Sequence, residues 1–419
     1  MKDCSSSLAS KFLLFTSLAA LLLTFTLAAN ATDKVLYSFK GGDDGANPSS
    51  SLIVDRLGNL YGTTEGGGGG ACDCGTVFML SPPVTRDGTW TETVLYRFQG
   101  PDGAGPEAGL IFDAAGSLYG TTSFGGTHDG TVFQLSPPAQ PGGSWTEAVL
   151  HQFDDEEGDD GAYPLSNLAM DKSGNLYGTT LFGGGDAQAG VVFEVSPPTK
   201  PGGSWTETVI HRFDSINDGA LPMAGLLIDS RGALYGTTTA TFQSGDGLVF
   251  KLSPPSPPQQ KWRERGLYKF QSGQDGSEPT YITASGSAIY GVTNLGGNAN
   301  WGTIFQLTPQ SGSWKETLLY DFQGGTDGGI PVGQLYVDHK RQLYGTTYAG
   351  QQPDNGTVFR LTPPNSGGAW TKTKIHEFGG NGDGATPNGG LVKGKGGALY
   401  GTTYAGGANG LGVVYAVAP

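Results

Sequence analysis

Cysteine is nearly absent, with three residues in a chain of 419. Cys4 lies at the N-terminus, and Cys72 and Cys74 form a Cys-Asp-Cys triplet with no distant thiol to meet. A disulfide framework is therefore excluded, and two thiolates fall short of the four ligands structural zinc takes. The triplet reads as two loop cysteines, bridged at most to each other. Charge is also sparse: 15% of residues are charged, with 24 Lys and Arg against 38 Asp and Glu. A net charge of −14 repels a duplex or an anionic membrane, so no nucleic-acid partner is expected. A helical period is missing beyond the N-terminal leader. Disorder is excluded by 37% hydrophobic and 11% aromatic residues.

The leader has the layout of a secretory signal. Lys2 and Lys11 precede an apolar run from Phe12 to Leu27, and Ala29-Asn30-Ala31 supplies small residues around a cleavage point. The run is shorter than the ~20 residues of a membrane span. Residues 1–31 are read as signal and 32–419 as one domain, secreted to the extracellular space or periplasm without a membrane span.

Glycine is abundant, 72 residues, and clusters between short apolar runs as turns do. One motif recurs seven times, at Leu60 to Thr64, Leu118 to Thr122, Leu176 to Thr180, Leu234 to Thr238, Ile289 to Thr293, Leu343 to Thr347 and Leu399 to Thr403. Steps of 54 to 58 residues between its tyrosines hold four strands with their turns, the size of one propeller blade. In the second unit the strands are Gly109 to Phe112, Leu118 to Thr122, Gly130 to Leu135 and Trp145 to Phe153. Asp113-Ala114-Ala115-Gly116 makes a tight turn, and Pro137-Pro138 ends the third strand because proline cannot donate to a ladder.

The two ends decide the architecture. The domain begins with a fourth-type strand, Val35 to Phe39, and finishes on a third-type strand, Val413 to Val417. If the first strand pairs with the last three, a ring closes and no edge is left open. The expected fold is all-β: a seven-bladed β-propeller of four-stranded antiparallel blades, closed by the N-terminal strand. Each unit also carries Asp-Gly-x-x-Pro, from Asp44-Gly45 with Pro48 to Asp383-Gly384 with Pro387. This reads as the crossover between blades, with glycine free to take positive φ.

The unit Phe-x(3–6)-Asp-Gly-x-x-Pro…Leu-Tyr-Gly-Thr-Thr…Gly-Thr-Val-Phe resembles the GloVer-type tandem repeat of bacterial surface and secreted proteins described as choice-of-anchor. The resemblance spans the whole domain and implies an exported bacterial protein with no assigned activity. It supplies no catalytic residues. No sorting anchor follows the final strand at Pro419, so release is expected rather than attachment.

Crossovers and the loops after Thr-Thr are expected to share one face. Departures from the repeat there are the functional candidates. They include Cys72, Asp73 and Cys74; His128 and Asp129; Asp186; Asp246; Asn300 and Trp301; and Asp354 and Asn355. Trp301 is the one tryptophan outside the repeated set, and the fifth unit is shortened beside Tyr281 with Val292 in place of a Thr. Trp301, Asn300, Tyr281, His128 and Asp129 are the ligand-binding candidates, an exposed indole being able to stack on a sugar. Trp301 folded onto a neighbouring loop is the preferred plain alternative.

No cofactor is evident. The run Asp154, Asp155, Glu156, Glu157, Gly158, Asp159, Asp160 could hold Ca²⁺, through Asp154, Asp155, Glu157 and Asp159, but lacks the alternation of a calcium loop and reads better as a solvated turn. His151, His211 and His376 replace outer-strand tyrosines and read as packing substitutes, and no triad or carboxylate pair stands out. Three functions follow in order: a monomeric binding module for a glycan or protein, an extracellular hydrolase or lyase acting on polysaccharide, lactone or ester, and a structural envelope protein.

Overall fold

A computed structural model describes residues 33–419 apart from 86–87, 141, 156–157, 159, 242–245 and 351–354. The expected signal at 1–31 lies outside the described residues. Among the described residues the strands form seven blade sheets, each running from an inner strand at the axis to an outer strand at the rim, and two short two-stranded ladders. Blade 1 comprises Ile53–Val54, Leu60–Thr64, Thr76–Ser81 and Thr91–Arg97. Blades 2 to 6 repeat it, with Leu118–Thr122, Leu176–Thr180, Leu234–Thr238, Ala288–Leu295 and Leu343–Ala349 as second strands. Blade 7 takes Val392–Lys393, Leu399–Ala405 and Val413–Val417 from the C-terminal end and Lys34–Ser38 from the N-terminal end. The closing pair is antiparallel, with Val35 opposite Tyr415 and Ser38 opposite Val413.

The core repeats around the ring. The outer-strand phenylalanine of each blade meets the third-strand aromatic of the next edge-on: Phe39–Phe78, Phe98–Phe133, Phe153–Phe193, Phe213–Phe250, Phe270–Phe305, Phe322–Phe359 and Phe378–Tyr415, at 4.9 to 5.5 Å. Edge-to-face contact suits the ring quadrupole. Glycine is required in the middle of Leu-Tyr-Gly-Thr-Thr, because a Cβ at Gly62 would stand 2.8 Å from both Phe78 and Leu52.

The two threonines divide their work. The second ties strands within a blade, as in Thr64–Thr76 and Thr122–Thr131, both 2.8 Å. The first reaches the next blade, as in Thr63 to the Ala108 carbonyl at 2.9 Å and Thr402 to the Ser50 carbonyl at 2.7 Å. Val292 cannot donate, and blade 5 is joined to blade 6 instead by Thr283 to the Leu335 carbonyl, 2.9 Å, and Gln334 to the Ile282 carbonyl, 3.2 Å. Among the described residues no helix is long and apolar enough to cross a membrane.

Candidate functional site

Crossovers and post-threonine loops do share a face. The amide of Glu65 donates to the Asn47 carbonyl, Ser123 to Gly105 and Leu181 to Tyr163, at 3.0 to 3.1 Å. The crossover chemistry differs from the sequence reading. Asp44 does not turn onto its own backbone two residues on. One oxygen accepts the Gly45 amide at 2.8 Å, and the other reaches back to the Tyr37 hydroxyl at 2.8 Å and the Lys40 amide at 3.0 Å. The Asp-Gly glycine takes positive φ, as expected, at Gly103, Gly219, Gly276 and Gly328 but not at Gly45, Gly161 or Gly384, whereas the residue before the proline is left-handed at every crossover: Asn47, Gly105, Tyr163, Leu221, Glu278, Ile330 and Thr386, with φ of 53° to 61°. Six are not glycine, and strained backbone of this kind persists only where its surroundings hold it.

What holds it is the preceding blade. The pre-proline amides donate to the carbonyls of Leu411, Cys74, Asp129, Ala189, Asp246, Trp301 and Asn355, in ring order, at 2.8 to 3.2 Å. Five sequence candidates thus occupy one equivalent position whose backbone clamps the next crossover, a role that leaves the side chain free to vary.

The candidates lie in separate places. The half-buried Trp301 rests its ring on the backbone of Gly324 and Gly329 in the next crossover, which is the plain alternative raised for it. Asn300 has φ 59° and accepts the Gly296 amide at 2.8 Å, a turn-forming contact. His128 is exposed, and Asp129 accepts the Asp155 amide at 3.1 Å. Tyr281 lines an axial cavity of about 210 Å³ with Ser51, Asn167, Gly225 and Gln334, and neither Trp301 nor His128 reaches it. Burial raises the Tyr281 phenol, with the Glu107 charge adding to the effect. Cys72 and Cys74 are bridged to each other. Asp186 is exposed, Asp246 is buried with its carboxyl raised by burial and then by the Asp275 charge, and Asp354 lies outside the described residues. In the acidic run Asp155 accepts the Gln188 amide at 2.6 Å, while Glu157 and Asp159 lie outside the described residues.

Another set of residues converges on the crossover face. Phe124 and Phe182, from the loops of blades 2 and 3, are 47% and 38% exposed. Tyr163, from the crossover between them, meets Phe124 at 5.2 Å and Phe182 at 5.8 Å between ring centroids. A short ladder fixes the row, pairing Ala162 with Phe182. Near the axis, Ser123 donates to Glu107 at 2.8 Å, and burial raises the Glu107 carboxyl, with the Glu65 charge adding. The Tyr404 phenol is pushed up to about 12 by burial and by Glu65. An aromatic row with carboxyl and phenol groups on the same face can bind the C–H faces and hydroxyls of a polar, ring-shaped ligand.

A model of the Gloeobacter/Verrucomicrobia repeat matches residues 21–250 and again 222–419. The chain belongs to this repeat family. No curated protein matches the chain. Among solved structures, it is similar to a Thermus thermophilus protein provisionally described as an oxidoreductase (glucose dehydrogenase), at 14% identity and TM-score 0.41 over 92% of this chain and 99% of that one. It is similar to a Bacteroides uniformis protein provisionally described as a 6-phosphogluconolactonase, at 14% identity and TM-score 0.47 over 80% and 86%. A Trypanosoma rangeli sialidase in complex with the inhibitor DANA aligns at 12% identity and TM-score 0.43 over 92% and 59%. At such identities and scores none of them bears on what this repeat protein does.

Proposed function

We propose that this chain is an exported binding propeller that takes a neutral glycan at its crossover face. The reading is carried by the row Phe124–Tyr163–Phe182, in which Tyr163 touches both phenylalanine rings and the two outer rings are exposed. Contiguous exposed apolar surface on a globular domain marks binding sites, and aromatic faces suit the C–H faces of sugars. Glu65, Glu107 and Tyr404 would accept and donate hydrogen bonds to the ligand's hydroxyls. The net charge of −14 disfavours anionic polymers. The apolar leader from Phe12 to Leu27 supports export to a place where glycans are met.

The test is a panel of neutral hexasaccharides (β-1,4-glucan, xylan, chitin and α-glucan types) titrated calorimetrically into the full chain and into F124A/F182A. The reading expects one class to bind with at least tenfold loss in the variant. No binding by any class, or equal binding by the variant, contradicts it.

One observation favours a second reading. Burial raises the Glu107 carboxyl, the direction that suits a general acid. A hydrolase would then cleave a member of the same panel and lose turnover in E107Q.

A further inference from the structure

We propose that His151, Asp160 and Glu207 form a divalent-metal site of the zinc class at the interface between blades 2 and 3. His151 lies on the outer strand of blade 2, Asp160 on the crossover and Glu207 on the outer strand of blade 3. Their ligand atoms lie within 4.8 Å of one another, the one such group of three among the described residues. His151 Nε2 stands 3.0 Å from Asp160 Oδ2. Ligands at ~2.0 to 2.2 Å around a tetrahedral ion sit ~3.3 Å apart, so a small side-chain adjustment of this trio admits one, with water in the fourth position. One imidazole and two carboxylates select zinc-like ions over Ca²⁺ or Mg²⁺, which prefer oxygen alone.

The other interfaces show why a cation belongs here. Every interface places a third residue of the next outer strand beside the crossover aspartate. Between blades 5 and 6 that residue is Lys372, whose Nζ bonds Asp327 Oδ1 at 2.8 Å and lies over the Tyr320 ring at 5.5 Å. Between blades 6 and 7, His376 is itself held between Asp33 at 3.0 Å and Asp383 at 3.2 Å. In both places the structure seats a cation-forming group against the carboxylate. Between blades 2 and 3 the equivalent position is Glu207, whose Oε1 is buried with no hydrogen-bond partner, as are those of Glu92, Glu147, Glu264 and Glu316; what sets this interface apart is an imidazole within ligand range of both carboxylates. Burial and the Asp160 charge push its carboxyl up to about 7. An ion there would satisfy both carboxylates and the imidazole together. His211 stands 2.9 Å from Asp218 beside Glu264, but this trio does not meet the same distance limit. The bound ion would also anchor the crossover that carries Tyr163, three residues beyond Asp160.

Zn²⁺ titrated into the EDTA-stripped full chain tests the assignment, read by calorimetry, by metal content after dialysis and by thermal melting. The expected result is one saturable equivalent, a higher Tm with Zn²⁺ and no such effect with Ca²⁺. H151Y installs the residue found at Tyr37, Tyr96, Tyr268 and Tyr320 and should preserve the fold while weakening Zn²⁺ at least tenfold. E207Q should weaken it likewise, and H211Y and H128A should keep it. The proposal is overturned by the absence of a saturable equivalent, by unchanged binding in H151Y and E207Q, or by loss in H211Y or H128A instead. A proton shared between Glu207 and Asp160 would give the first of these outcomes.

Discussion

The amide of Asn47 donates to the carbonyl of Leu411 at 2.9 Å, joining the first crossover of the chain to its last loop. The same bond recurs at the six internal interfaces, so the closing interface is built like the others. Gly412 lies against Pro48 as Gly75 lies against Pro106. Closure is therefore a property of the repeat rather than of a special latch.

The interface phenylalanines should dominate stability. Phe133 is fully buried against Phe98 and Gly120. F133A removes a whole ring from a packed interface and should cost about 3–5 kcal/mol in denaturant unfolding. A loss below about 1 kcal/mol would mean the interface collapses without strain.

Threonine should matter for its hydroxyl. Thr346 is buried and shares its hydroxyl between the Val332 carbonyl at 3.0 Å and the Gly389 carbonyl at 3.1 Å. T346V keeps the shape and strands both acceptors, so a loss of about 1–2 kcal/mol is expected. Blade 5 already has Val292 and compensates through Thr283, so T283V should cost a similar amount when unfolding is measured in the same way.

Stability should fall as pH rises through neutrality. Glu92, Glu147, Glu207, Glu264 and Glu316 are each pushed from 4.5 up to about 7, first by burial and, in most, next by the neighbouring crossover aspartate. Between those values the folded chain binds more protons than the unfolded one, so stability declines with rising pH and levels off above about 7. Asp55 and Asp229 are lowered, although burial opposes it, by hydrogen bonds from their turns, and their contribution is lost in acid. Tm should peak near about pH 5, and E147Q should flatten the fall toward pH 8. A Tm that climbs from pH 5 to 8 would contradict this.

Lys372 offers the converse test. Desolvation lowers its ammonium, opposed by the pairing with Asp327. K372M leaves Asp327 without its cation and should cost about 3–5 kcal/mol near neutral pH. K372E recreates the Asp–Glu pair of five other interfaces, so it should fold well near pH 5 and lose Tm more steeply than the parent between about pH 5 and 7, where a glutamate raised from 4.5 to about 7 changes its charge. Equal pH profiles for K372E and the parent would refute the shared role of this position.

The ring is legible in the sequence because its evidence is local and repeated: four strand-like runs per unit, and an unmatched strand at each end. The site is not. Phe124, Tyr163 and Phe182 are ordinary residues in three separate segments, brought together only by blade stacking and a short ladder. Trp301 stands out by its rarity, yet its position contributes a carbonyl to the next crossover, as Leu411 and Ala189 do. The histidines do take tyrosine places: His151 packs on Phe153 at 4.7 Å, as Tyr96 packs on Phe98 at 5.2 Å. Their carboxylate partners come from a neighbouring crossover and strand, which no single repeat reveals.

Closure is tested most directly by deleting residues 33–39 and measuring the melting temperature with and without a synthetic peptide of that sequence. The deletion removes the strand paired with Val413–Val417 and the buried Phe39 ring, and it bares an edge that recruits other chains. The ring account predicts a Tm lower by at least about 5 °C, with association between chains, and recovery of both when the peptide is added. An unchanged Tm, or a peptide without effect, would contradict it.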